Sequence, residues 1–213
     1  FKCKSSSITV INNGLDAQEF CPIPNSTRNK NRLITTASAD VPLKGLDYSL
    51  KALKLLKKDN PKMHLVVIGN YKKNGHTERL IKKLGIEQDV IFKKNISKDE
   101  IKKLYSSSSI AIVSSLYEGF GYPVIEAMSC EVPIIATNVS SIPELVSDFG
   151  TLIEPKNENQ LKRSIVKVMQ NYDHFKDIAI KGRQHVIETF NWSKITSEYE
   201  KIIYETVDRF KKC

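Results

Sequence analysis

Short apolar runs alternate with longer amphipathic segments from about residue 32 to the end of the chain. The apolar runs predict strands at residues 32–36, 64–69, 90–92, 110–114, 133–137 and 150–153. Between them, Leu46, Leu50, Leu53 and Leu56 recur at helical spacing and predict a helix over residues 44–58. Further helices are predicted at residues 77–84, where Gly85 supplies a stop, at 98–105 and at 122–130. The last third reads as helical, over residues 159–171, 175–188 and 192–210. Strands that are apolar throughout, rather than alternating, imply a parallel sheet covered on both faces. The expected architecture is therefore a doubly wound, Rossmann-like α/β domain, whose ligands bind at the carboxyl ends of the strands. Residues 1–30 lack periodicity and read as a lead-in.

Composition narrows the class without choosing a function. The 213 residues suffice for one substantial domain, and 40% hydrophobic with 27% charged residues excludes a fully disordered chain. A net charge of +9 favours anionic partners, whether a phosphorylated ligand, an acidic membrane surface or nucleic acid. The lysine pairs, such as Lys57-Lys58, Lys72-Lys73, Lys82-Lys83 and Lys102-Lys103, are spread along the chain. That spread reads as a solvated surface rather than a nucleic-acid footprint. Cys3, Cys21, Cys130 and Cys213 form no CxxC pair and suggest reduced thiols in a cytoplasmic protein. No apolar run approaches the ~18 residues of a membrane span. The Phe1-Lys2-Cys3-Lys4 start, without an initiator Met, is read as a piece of a longer chain.

The richest chemistry lies in Ser114-Ser115-Leu116-Tyr117-Glu118-Gly119-Phe120-Gly121-Tyr122-Pro123-Val124-Ile125-Glu126-Ala127-Met128. A buried strand runs through two glycines into a helix, with Pro123 suited to its first turn. Glycines allow close backbone approach, and free N–H groups at a helix start can cradle a phosphate. Glu118 falls in the loop and Glu126 in the helix; a plain strand–turn–helix with Glu126 solvated is the competing reading. A hydrolytic pair would stand roughly 5–9.5 Å apart, whereas eight helical residues span ~12 Å. Two carboxylates at two parts of one long ligand, such as a nucleotide sugar, fit better.

The stretch EGFGYPVIEAM, a Glu-x7-Glu pattern, resembles the signature of glycosyltransferase family four, whose members have the two-domain GT-B fold. The resemblance runs almost the whole chain. Val10-Ile11-Asn12-Asn13-Gly14-Leu15-Asp16, with Phe20 and Pro22, is similar to the segment entering that family's C-terminal domain. Lys44-Gly45-Leu46 resembles its Lys-Gly helix start, and residues 65–69 its second strand. Pro133-Ile134-Ile135-Ala136-Thr137 and Ile142-Pro143-Glu144-Leu145-Val146 resemble its later strand and turn. Phe190-Asn191-Trp192 resembles the break before its last helix. The division this implies is an inter-domain lead-in at 1–30, a donor-binding domain at 31–190, and at 191–213 a helix crossing back to an N-terminal acceptor domain. Apolar positions of that helix, including Ile195, Tyr199, Ile202, Ile203 and Phe210, are expected to be partly uncovered.

The resemblance implies a retaining transfer from a nucleotide-diphosphate sugar, with Glu118 and Lys44 as the catalytic pair. Glu118 would bind donor-sugar hydroxyls, Glu126 the ribose diol, and Lys44 the diphosphate charge as it leaves. Backbone N–H groups of Gly119, Phe120, Gly121 and Tyr122 would meet sugar and diphosphate, and the backbone of Ile96 and Ser97 the base. Three departures stand out. Ala37-Ser38-Ala39-Asp40 occupies the place of a family arginine, Ser140-Ser141 that of a glycine pair, and Glu131 that of a helix-ending glycine. His64, His76, His174 and His185 form no ligand pair, and no Asp-x-Asp motif is present. No metal and no other cofactor are therefore expected. The expected partners are the nucleotide sugar and the protein's own acceptor domain, in the cytoplasm, with an anionic inner membrane face left open and nucleic acid not expected. Two readings compete: a degenerate nucleotide-binding module without transfer, and a sugar-nucleotide epimerase of similar architecture.

Overall fold

The computed structural model describes residues 8–211, with side chains up to residue 209. Cys3, Cys213, the Ser5-to-Ser7 run and the side chain of Phe210 lie outside the described residues. The strands are β1 (Asn29–Thr36), β2 (His64–Ile68), β3 (Val90–Lys93), β4 (Ser108–Val113), β5 (Ile134–Thr137) and β6 (Thr151–Ile153). They form one sheet in the order β3-β2-β1-β4-β5-β6, and every neighbouring pair is parallel. The helices are α1 (Leu46–Leu56), α2 (His76–Leu84), α3 (Lys98–Ser106), α4 (Tyr122–Ser129), α5 (Ile142–Val146), α6 (Glu158–Gln170), α7 (Tyr172–Thr189) and α8 (Trp192–Lys211).

The inner strands alternate their side chains between two cores, which is why they read as unbroken apolar runs. The edge strand β3 instead packs Val90 and Phe92 on one core and leaves Ile91 exposed. Leu33, Leu65, Val67, Ile110, Ile112 and Ile135 face α1, α2 and α6. Their chain neighbours Ile34, Val66, Ile68, Ala111 and Ile134 face the opposite layer, which includes Tyr105 of α3 and Val124, Ile125 and Met128 of α4. Ile34, Leu65 and Ile110 are fully buried, so truncating any one to alanine should cost roughly 2–5 kcal/mol.

Two local predictions are corrected. The turn expected at Ile142 to Val146 is the short helix α5, with Pro143 in its first turn. The helix expected from residue 44 begins at Leu46, because Pro42–Lys44 forms a separate 3-10 turn and Gly45 stands in the left-handed region at φ 60°. Gly45 is required there for a second reason: a Cβ would lie 1.9 Å from the Ser114 carbonyl oxygen. The lead-in is fastened rather than loose. Leu15 N–H donates to the Phe190 carbonyl at 2.7 Å, and Gly14 lies under the Trp192 ring, where a Cβ would come within 2.5 Å. On α8, Ile195 is buried, contrary to expectation, because it sits one turn from this anchor. Ile202 is half-buried, while Tyr199, Ile203, Tyr204 and Val207 are exposed.

Candidate functional site

The sheet order reverses between β1 and β4, so their carboxyl ends open a crevice, the usual ligand position in such sheets. Two loops line it, residues 37–45 after β1 and 114–121 after β4. They are stitched together. Leu116 N–H donates to the Leu43 carbonyl at 2.7 Å, and the Ser114 hydroxyl donates to the Gly45 carbonyl at 2.9 Å. The stitching brings Lys44 and Glu118 into contact: Nζ lies 3.0 Å from Oε1 and 2.9 Å from Oε2. The Ser115 hydroxyl adds a third bond, donating to Oε2 at 3.0 Å. The Glu118 side chain is only 11% exposed, so Lys44 balances a largely enclosed charge.

The glycine loop is held from behind. The Ser141 hydroxyl lies 3.1 Å from the Glu118 carbonyl oxygen and 2.6 Å from that of Phe120. In a trans peptide the C=O and the following N–H point in opposite directions. The N–H groups of Gly119 and Gly121 therefore point away from Ser141. Gly121, at φ 110°, ends the loop and starts α4, and a Cβ on it would meet Leu145 at 2.8 Å. Gly119 has open space where its Cβ would be. Phe120 and Tyr122 pack edge to face at 5.2 Å. Ser141 thus serves the loop from a position where a glycine would offer no hydroxyl.

Glu126 has a different setting. It projects from the second turn of α4 and is half-buried; the nearest recorded polar partner is the Tyr105 hydroxyl, 3.4 Å from Oε2. Burial pushes its carboxyl up to about 7, opposed by the Tyr105 hydrogen bond and by the charge of Lys98. Glu126 is thus half-buried rather than fully solvated. Ile96 packs against the core on this side of the sheet. Ser97 caps α3: its hydroxyl accepts from Glu100 N–H at 3.2 Å, while its own N–H donates to the Glu100 carboxylate at 3.0 Å. Its carbonyl accepts from Ile101 N–H at 3.0 Å. Both backbone groups of Ser97 are thus engaged by α3.

The three departures are ordered, and no cation from residues 37–40 takes the place of the expected arginine. Asp40, at φ 60°, accepts the Thr77 N–H at 2.7 Å and so caps α2; the cation recorded nearest its carboxylate is Lys72, at 4.0 Å. Glu131 and Ser140 adopt left-handed backbone at φ 55° and 50° without being glycine. The Glu131 carbonyl accepts from Arg28, whose guanidinium also bonds the carbonyls of Tyr105, Ser108 and Cys130. His76 pairs with Asp47 at 2.7 Å, beside a cleft of about 330 Å³ that abuts the Lys44 loop. A larger cleft, about 560 Å³, lies between the lead-in and Arg183, Ile187 and Trp192, away from every residue predicted from the sequence to bind donor. Among the described residues, no three His, Cys, Asp or Glu side chains gather into a metal-binding group, and no helix is long and apolar enough to cross a membrane.

The sequence singles out Lys44, Glu118, Glu126 and the glycine loop as candidates, but not Tyr105 or Ser115, which contact Glu126 and Glu118, and Ser141 only as a departure. Tyr105 reads in the sequence as the last apolar residue of an ordinary helix, and no signal there marks its hydroxyl.

A six-stranded parallel sheet covered by helices, with its order reversing between β1 and β4, defines a doubly wound α/β domain. The family described as Glycosyl transferases, group 1, matches residues 19–185, and the chain belongs to it. A curated relative, the MMP alpha-(1->4)-mannosyltransferase of Mycolicibacterium hassiacum, is 30% identical over 100% of this chain and 52% of its own length. The O-antigen chain mannosyltransferase B of Escherichia coli is 27% identical over 74% of this chain and 42% of its own. The chain thus spans about half the length of the curated relatives it matches or less. Among solved structures, sucrose-phosphate synthase from Thermosynechococcus elongatus superposes with a TM-score of 0.83 at 22% identity, covering 93% of this chain and 52% of that one. The C-terminal domain of a group 1 glycosyl transferase from Francisella tularensis gives 0.72 at 26% identity, over 84% of this chain and 100% of that one. Anabaena HepE, solved with UDP-glucose, gives 0.82 at 20% identity, over 95% and 58%. The fold is that of a GT-B C-terminal domain.

Proposed function

We propose that this chain is the donor-binding half of a retaining glycosyltransferase that uses a nucleotide-diphosphate sugar. The observation that carries the reading is the meeting of Lys44 and Glu118 across the β1/β4 crevice, in front of the glycine loop that starts α4. The diphosphate occupies that crevice. Lys44 turns toward its charge, and the N–H groups of Gly119 and Gly121, with Phe120 and Tyr122 beside them, bind phosphate and sugar. Glu118, released from part of its bond with Lys44, accepts hydroxyls of the sugar, and Glu126 accepts the ribose diol. The base lies against the backbone of Ile96, since Ser97 already serves α3. Transfer needs an acceptor held by a second, N-terminal domain, onto which α8 crosses with its exposed Tyr199, Ile203 and Tyr204. Relatives and neighbours named as mannosyltransferases and a complex with UDP-glucose support this class of ligand.

Calorimetric titration with UDP, GDP and ADP, each bare and sugar-linked, tests the reading. One nucleotide is expected to bind, with a sugar preference that Glu118→Ala removes. Equal, salt-sensitive binding of all polyanions would contradict it. Residues 1–213 alone are expected to bind donor without transferring sugar, because transfer requires closure over an acceptor held by a second domain. Robust transfer by this chain alone would refute that division.

A further inference from the structure

The hydroxyl of Tyr105 has no packing task, since a phenylalanine ring would fill the same core. Tyr105 is 1% exposed, and a buried tyrosine hydroxyl needs polar partners. It has two: the Thr36 hydroxyl at 3.0 Å and Glu126 Oε2 at 3.4 Å. Their order follows from chemistry. An ionised carboxylate only accepts, so Tyr105 donates to Glu126, and Thr36 donates to the Tyr105 oxygen. Thr36 is the last residue of β1, Tyr105 lies in the last turn of α3, and Glu126 in α4, so the relay ties together three elements that border the crevice.

We propose that Tyr105, backed by Thr36, is a positioning residue for Glu126, holding its carboxylate as a charged acceptor for the nucleotide. This rests on the reading that Glu126 receives the ribose diol. The remaining groups around Glu126 leave this task to Tyr105. From α3, Lys98 exerts a longer-range pull, but its ammonium is held by Glu19 at 2.8 Å. Just past the end of α4, Cys130 is a buried thiol pushed up to about 12 and so carries no charge near neutrality. From β1 comes only the neutral Thr36. Tyr105 itself stays protonated, since burial pushes its hydroxyl well above the usual range. Removing the hydroxyl leaves desolvation less opposed, and the Glu126 carboxyl moves further up from about 7.

The direct test is a carbon-13 carboxyl NMR titration of the chain without nucleotide, with the Glu126 signal assigned by its loss in Glu126→Gln. In Tyr105→Phe the midpoint is expected to rise by roughly half a unit or more. Affinity for UDP and GDP should fall roughly three- to five-fold at pH 6.5 and return to within about two-fold at pH 9, where the carboxyl is ionised in either protein. The phosphate's own titration is common to the proteins compared and cancels. Thr36→Val, which removes only the donor behind Tyr105, should move the midpoint the same way by less, and it serves if Tyr105→Phe fails to fold. An unchanged midpoint, or an equal loss of affinity at both pH values in a folded variant, would overturn the proposal and leave Tyr105 a packing residue. If Glu126→Gln binds UDP and GDP as well as the unaltered chain, the ribose reading fails even where the Tyr105→Phe midpoint has moved.

Discussion

Glu118 and Glu126 share one loop-and-helix segment, yet their charges are handled in opposite ways. Glu118 is enclosed but met by a cation, with Lys44 on both oxygens and Ser115 on one. Glu126 is half-buried with no cation in contact among the described residues, so burial dominates and pushes its carboxyl to about 7. A carboxylate already bonded to Lys44 has a partner that a diphosphate can take over, which suits a group that must respond when charge moves. A carboxylate held by a neutral relay keeps a fixed place, which suits recognition of an unreacting part of the ligand.

Removing Glu118 should have the largest effect. In a protein carrying both halves, Glu118→Ala is expected to depress sugar transfer by roughly 10²–10³-fold, as loss of a charge-stabilising contact does at other active sites. Bare nucleotide affinity should stay nearly intact. A parallel loss of both would make the residue a loop support and erase the contrast. Next in size, Lys44→Ala leaves the Glu118 carboxylate facing the diphosphate uncompensated, at a cost of ~1.5–3 kcal/mol in nucleotide and donor binding by titration calorimetry. Donor affinity that survives Lys44→Ala would place the diphosphate elsewhere.

Stability offers a test from the other side. The folded Glu126 carboxyl, at about 7, lies above its ordinary value near 4.5, so between these the folded chain holds a proton the unfolded chain has released. Its contribution is fully present below about 4.5 and is lost as pH rises to about 7. Glu126→Gln removes that loss. The variant's stability relative to the unaltered chain should therefore rise by ~2–3 kcal/mol between pH 5 and pH 8 in denaturant unfolding. A difference independent of pH would mean Glu126 is not strained by burial. The smallest effect is expected at Ser141. Ser141→Ala removes the single hydroxyl proton held between two carbonyls of the glycine loop, worth ~1 kcal/mol, and should raise KM for donor more than it lowers kcat. No change in KM would show that the loop keeps its shape unaided.

The sheet was legible because each strand is apolar on both faces, and all six predicted strands are present within a few residues of their predicted ends. The helix α5 was not, since five residues containing Pro143 carry no period. In the sequence the two carboxylates stand out by type and spacing, whereas Lys44 stands out only through the resemblance of Lys44-Gly45-Leu46 to a family helix start. What the sequence hides is partnership. Nothing in Lys44 or Glu118 states that Gly45 lets their loops touch at Ser114, and nothing in residues 98–106 singles out the Tyr105 hydroxyl. Those contacts join residues far apart in the chain, as in the 74-residue gap between Lys44 and Glu118. Ser141 shows the same limit in reverse: in the sequence it is only a departure from a glycine pattern, and in space its hydroxyl proton faces two carbonyls of the loop.

The central claim is that one glutamate reads the sugar and the other the nucleotide. Calorimetric titration of Glu118→Ala and Glu126→Ala with a bare nucleoside diphosphate and its sugar-linked form tests it in four measurements against the unaltered chain. The account predicts that Glu126→Ala weakens both ligands alike, by ~1.5–3 kcal/mol. Glu118→Ala should leave the bare nucleotide nearly unchanged and abolish the added affinity of the sugar. The same pattern of loss in both variants, or unchanged nucleotide affinity in a well-folded Glu126→Ala, would contradict it.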